Sequence, residues 1–134
     1  MSESVFGNLI KPSDMPFVSK RWGWELHICN NDKYCGKKIF IKQGHHLSYH
    51  KHEVKDEVLF VESGKMYFTH NADAPRVSSI EMVPGYAFHV KPGVLHQMVA
   101  IEDTVIFEFS TFHSDEDSFR ETTDVINVHK YKVE

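Results

Sequence analysis

Hydrophobic residues recur along this chain in short alternating runs rather than at helical spacing. Residues 26–29 and 34–42 read as strands on either side of the turn-forming Asn30-Asn31-Asp32-Lys33. Further β-rich runs cover residues 47–51, 58–62, 65–70, 77–82, 86–90, 97–101 and 104–110. Turn residues close them: Ser63-Gly64, the polar stretch from Asn71 to Pro75, Pro84-Gly85, Pro92-Gly93 and Glu102-Asp103. Roughly ten short strands at intervals of about 8–12 residues are the pattern of a sandwich or barrel.

Only residues 114–121 read as helical, with Ser114 as N-cap and Asp117 at the capping-box position. In residues 1–20, Pro12 and Pro16 flank Ser13-Asp14, which argues against a long helix and predicts an irregular arm with one short strand. Residues 125–128 predict an edge strand or a segment packed on a partner. No linker, repeat or low-complexity stretch interrupts the chain. One domain over residues 1–134 is expected, with an arm to 20, a barrel over 21–112 and a helix and tail over 113–134. An all-β chain must protect its sheet edges, and a two-sheet jelly roll does so in one body. Its interior receives every second side chain, so residues from non-adjacent strands can meet there.

Composition narrows the function classes. A hydrophobic fraction of 41% with 13% aromatics is that of a globular protein. The formal net charge of -4, without any block of Lys or Arg, gives no footprint for nucleic acid. No apolar run approaches the ~18 residues of a membrane helix, and no signal peptide is evident, so a cytoplasmic protein is expected. Cys29 and Cys35 are expected as small packed residues rather than a bridge. Histidine is the outlier, with 10 in the chain and five of them between His45 and His70.

That enrichment centres on residues 44–64. His50 and His52 stand two apart, so near an extended strand both imidazoles face one way. Glu57 follows on the next strand, and His96 comes after the turn at Lys91-Pro92-Gly93. Three imidazoles and a carboxylate converging inside a β-structure suit one divalent transition metal, not magnesium or calcium.

The same residues resemble the two motifs of the cupin superfamily. Gly44, His50, His52, Glu57 and Gly64 fill every defined position of G-x5-H-x-H-x4-E-x6-G. Gly85, Gly93 and His96 match G-x5-P-x-G-x2-H-x3-N, with Lys91 at the proline position and Ala100 at the asparagine position. The resemblance implies a double-stranded β-helix, the cupin jelly-roll barrel. It implies that His50, His52, Glu57 and His96 hold one metal (zinc, manganese, nickel, cobalt or iron), with two positions left for water or substrate.

A narrower resemblance runs to the cupin domain of type II phosphomannose isomerases. Arg21-Trp22-Gly23-Trp24 is similar to that family's R-P-W-G-W without the proline, and Leu47-Ser48 leads into the histidines as its L-S-x-x-x-H does. The runs from Phe107 to Thr111 and from Glu116 to Arg120 resemble its E-V-x-x-G and E-D-D-I-x-R, less a glycine and part of the acidic segment.

The activity this implies is isomerisation or epimerisation of a sugar or sugar phosphate, as in mannose-6-phosphate isomerase. The alternatives are a dioxygenase using iron or another redox metal, and a non-catalytic carbohydrate-binding module. Glu108 is the candidate base if strand parity turns it inward; Phe107 and Phe109 beside it leave the outward reading equally open. Lys42, Tyr67 and His89 are further candidates for the lining, and Arg120 for meeting a phosphate or pairing with Glu116. His45, His46 and His113 could lie at the mouth. Trp22 and Trp24, two apart, could place both rings on one face, and are expected in core or dimer packing rather than as a sugar platform. A homodimer is expected.

Overall fold

The computed structural model describes residues 7–122. In chain order the strands are β1 (Phe17–Lys20), β2 (Gly23–Asn30), β3 (Cys35–Ile41), β4 (Tyr49–Lys51), β5 (Glu57–Ser63), β6 (Met66–His70), β7 (Ser78–Met82), β8 (Ala87–Val90), β9 (His96–Ala100), β10 (Thr104–Ser110) and β11 (Phe119–Thr122). The only helical pieces among the described residues are single 3-10 turns at Pro12–Asp14 and Asp115–Asp117. One sheet has the order β1-β2-β3-β10-β5-β8 and the other β11-β4-β9-β6-β7. All pairings are antiparallel, and the two sheets make the expected jelly roll.

Alternation decides which side chains enter the barrel, and along each strand their chemistry changes at a common level. On β3 the buried positions are Cys35, Lys37, Ile39 and Ile41. On β5 they are Glu57, Leu59 and Val61, and on β10 Thr104, Ile106 and Glu108. The apolar ends join Met66, Phe68, Met98 and Ala100 in one core, with Phe68 fully buried. The polar ends of the same strands line the opposite end of the barrel. Ile39 and Met98 belong to both zones, capping the core and flooring the polar cavity.

Two glycines are required by close approach. Gly64 turns β5 into β6 at φ 89°, and a Cβ there would overlap the Asp103 carbonyl and Thr104. Gly23, at φ 153°, lies against the Phe40 carbonyl with no room for a side chain.

The structure corrects the sequence reading in one place and decides an open point in another. Residues 114–121 do not form a helix: Ser118 is extended (φ -130°, ψ 118°), and β11 runs antiparallel to β4, pairing Phe119 with Lys51 and Arg120 with His50. Tertiary pairing overrides the local capping signal, because the three-residue β4 would otherwise be a bare sheet edge. Ser114 still caps its short turn, accepting from the Glu116 N–H, whereas the Asp117 carboxylate is used elsewhere. The open point concerns the tryptophans, which do not share a face. Trp22 packs on the core, while Trp24 lies against Phe40 and Phe17 with ring centroids 5.6 and 5.3 Å away. Phe40 alternates with the buried Ile39 and Ile41, which places that stack on the outer surface of the sheet. The strand expected over residues 125–128 lies outside the described residues.

Candidate metal centre

Two strand ends deliver the three imidazoles. His50 on β4 and His96 on β9 are direct cross-strand partners, which sets their ring centroids 4.4 Å apart. His52 follows two residues after His50, its centroid 5.1 Å from that ring. The Pro92-Gly93 turn steadies His52, whose carbonyl accepts the Gly93 N–H at 2.7 Å. One ring nitrogen from each of the three lies within 4.8 Å of the others, a grouping that could hold a metal ion.

Which nitrogen is available follows from the hydrogen bonds. Nδ1 of His50 lies 2.8 Å from the Ser48 carbonyl, Nδ1 of His52 2.7 Å from that of Asp117, and Nδ1 of His96 3.0 Å from that of Val94. A carbonyl only accepts, so each Nδ1 carries the proton and each Nε2 keeps a free lone pair. Burial also keeps the rings neutral, pushing His50 down to about 3 and His52 and His96 to about 4. Three metal-competent nitrogens therefore converge.

Glu57 enters from the opposite sheet. Its Oε2 stands 3.5 Å from Nε2 of both His52 and His96, is fully buried and has no hydrogen-bond partner. An acceptor oxygen held against two acceptor nitrogens is repulsive until a cation or proton comes between them. Burial pushes the Glu57 carboxyl above its ordinary range; the Glu108 charge adds to this, against the pull of Lys55 and Lys37. The orphaned oxygen and the nitrogen-rich donor set fit a divalent transition ion.

These residues line a cleft of about 1180 Å³. Its second wall is a chain of charges. Glu108 points inward: alternation on β10 buries it with Ile106 and leaves Phe107 and Phe109 outside. Its Oε2 accepts from Lys55 Nζ at 2.9 Å and Ser110 Oγ at 2.8 Å. Burial alone would raise its pKa, but the ammoniums of Lys55 and Lys37 prevail and hold it low. Lys55 also touches His113 Nδ1 at 3.0 Å, and His113 Nε2 meets Asp115 at 2.9 Å. Farther round, Glu25 Oε1 lies 2.9 Å from His27 Nε2 and 3.5 Å from Lys37 Nζ.

Of the other sequence candidates, His45, His46, His113 and Arg120 border the cleft, and no ion pair joins Arg120 to Glu116 among the described residues. Lys42, Tyr67 and His89 do not line it; His89 is exposed and bonds Asp56 at 2.7 Å. The sequence reading missed Lys37, Lys55 and Glu25. Lys37 was accessible from parity, since it stands two before the inward Ile39. Lys55 sits in a loop, where no period applies.

A family model described as a cupin domain matches residues 38–112, more than half of the chain. The chain belongs to the cupin family. Its fold recurs in solved cupin-like structures at low identity. The capsular polysaccharide assembling protein CapF from Staphylococcus aureus aligns with a TM-score of 0.69 at 16% identity, over 79% of this chain and 34% of its own. Oxalate decarboxylase from Bacillus subtilis aligns with a TM-score of 0.73 at 16% identity, over 84% and 31%. KdgF from Halomonas sp. gives 0.62 at 18%, over 69% of this cupin and 81% of its own chain. The alignments to CapF and oxalate decarboxylase thus cover only 34% and 31% of those chains, and at such identities the likeness is one of fold. No curated protein matches the chain. Among the described residues of this cupin no helix is long and apolar enough to cross a membrane.

Proposed function

We propose that this cupin is a metal-dependent isomerase or epimerase of a sugar or sugar phosphate, similar to mannose-6-phosphate isomerase. In this reading His50, His52, Glu57 and His96 hold one divalent metal, and Glu108 is the base. The observation that carries it is the buried Glu57 oxygen, unpartnered among imidazole lone pairs, in the same cleft as a carboxylate–ammonium pair. The metal would supply Lewis acidity toward a carbonyl and its neighbouring hydroxyl.

The protein's own groups supply the rest. Aldose–ketose exchange moves a proton between C1 and C2 and another between their oxygens, without net oxidation. Glu108, held ionised by Lys55 and Lys37, is ready to take the carbon-bound proton and return it to the adjacent carbon. A carboxylate clamped by an ammonium is a weak base, so substrate must draw Lys55 toward its own developing oxyanion. That shift strengthens Glu108 as the charge forms. The charge balance favours an anionic substrate. Glu25, Glu57, Glu108 and Asp115 against Lys37 and Lys55 leave two negative charges in the cleft, which a divalent ion would neutralise. Lys20, Arg21 and Arg120 at the same cleft then supply the attraction for a phosphate.

The test is proton NMR of a panel of aldose and ketose phosphates, mannose 6-phosphate included, in heavy water with zinc- or manganese-loaded protein under nitrogen. Interconversion, with deuterium appearing at the carbon next to the carbonyl, supports the reading. Oxygen uptake with the iron form and no anaerobic turnover makes the protein a dioxygenase; ligand-induced stabilisation without product makes it a binding module. Either result overturns the isomerase.

A further inference from the structure

The segment after β10 reaches the His52 ring through Asp117, a residue that is not among the donors. The Asp117 carbonyl accepts from Nδ1 of His52 at 2.7 Å, the shortest of the three imidazole–carbonyl contacts. The carboxylate of the same residue accepts from three consecutive amides of the loop after β4. Glu53 N–H donates to Oδ1 at 2.8 Å, Val54 N–H to Oδ1 and Oδ2 at 3.1 and 3.2 Å, and Lys55 N–H to Oδ2 at 2.9 Å. That loop joins His52 to Lys55 and Glu57. Two of the four donor residues thus flank a stretch of chain tied to one side chain, and the lysine that holds Glu108 belongs to that stretch.

We infer that Asp117 is a positioning residue of the metal centre, setting the orientation of His52 and the path of the loop that carries Lys55 into Glu57. Three aligned N–H groups with no secondary-structure partner need an acceptor, and a carboxylate is the strongest available. Once the carboxylate is seated, the backbone carbonyl of the same residue is held against His52 and fixes its tautomer. The main chain of Asp117 acts on the His52 ring, and its side chain on the three residues that follow His52. Outer partners of this kind determine how well a ligand set fits its ion. The turn at Asp115–Asp117 and β11 hold Asp117 in place, β11 pairing with the strand that bears His50.

The inference rests on the metal reading above, and the experiment separates the two. Apo protein, prepared with a chelator, is titrated with cobalt(II) while its visible spectrum and dissociation constant are recorded, for wild type, Asp117→Ala and Asp103→Ala. Asp103 accepts the Gln43 N–H at 2.8 Å, and neither residue lines the cleft, so it controls for loss of a loop anchor in general. Asp117→Ala should weaken cobalt binding about 10–100-fold and alter the spectrum, with Asp103→Ala like wild type. Equal affinity and an unchanged spectrum in Asp117→Ala overturn the inference, as does an equal loss in Asp103→Ala. If Asp117→Ala does not fold, Asp117→Asn takes its place; it keeps one acceptor oxygen, should show a smaller loss, and overturns the inference if it shows none. Wild-type protein that binds no cobalt fails the metal reading itself, before any variant is compared.

Discussion

Replacing Glu57 with glutamine should move stability and metal affinity in opposite directions. Glutamine has the shape of glutamate, but its amide can donate to the Nε2 lone pairs of His52 and His96, where Oε2 now finds only acceptors at 3.5 Å. An unsatisfied buried polar group costs about 1–3 kcal/mol, and more when charged. Above pH about 8, where the buried Glu57 carboxyl is ionised, apo Glu57→Gln should therefore be the more stable protein by about that amount. At roughly 3–5 °C per kcal/mol for a chain of this size, its Tm should rise by about 3–15 °C.

The metal-bound form reverses the order. At an effective dielectric near 20, a unit charge about 4 Å from another contributes about 4 kcal/mol, or about 8 kcal/mol toward a divalent ion. Returning half of that to desolvation leaves about 4 kcal/mol, or about a thousandfold in Kd. Thermal unfolding of both proteins, with chelator and with excess zinc, shows the crossing directly. An apo variant less stable than wild type above that pH would refute the reasoning. So would equal upward shifts with zinc, because Glu57 would then not be a donor.

Other measurements probe the second wall and the frame. Glu108→Gln should retain metal while turnover of a competent substrate falls about 10²–10⁴-fold; a loss under tenfold removes Glu108 from the base role. The Glu108 carboxyl is held at about 2 against an ordinary 4.5, so its contribution to stability is whole above the higher value and lost as pH falls toward the lower. The Tm difference between wild type and Glu108→Gln should accordingly shrink on acidification through that window, and a constant difference would refute the assignment. Gly64→Ala forces a left-handed backbone and a clash with Asp103 and Thr104, costing at least about 1–3 kcal/mol in urea unfolding.

The legible part of this protein was whatever repeats with period two. Strand positions followed from alternation, and so did the common face of His50 and His52, whereas His96 was joined to them by the motif resemblance, since no period fixes a partner so far along the chain. Glu108 was an even choice because Phe107 and Phe109 are as hydrophobic as many inward residues, although they form the outside of β10. The segment after Ser114 misled because a serine followed by acidic residues carries a helix-start signal, while the need of β4 for a neighbour is not local. Lys55 and the amides held by Asp117 were invisible for a related reason. A loop's path is fixed by what it touches, and Asp117 lies 62 residues from Lys55.

Ile39 and Met98 serve as floor and ceiling at once, the last apolar layer under the cleft and the first of the packed interior. Deepening the chamber for a bulkier guest means hollowing out the keystones of the fold. Widening it at the rim, among Lys20, Arg21 and Arg120, carries no such penalty. Selection for a new guest would therefore find its cheap changes at the mouth and its expensive ones below, so diversity of chemistry should collect at one end of the barrel while the other stays fixed.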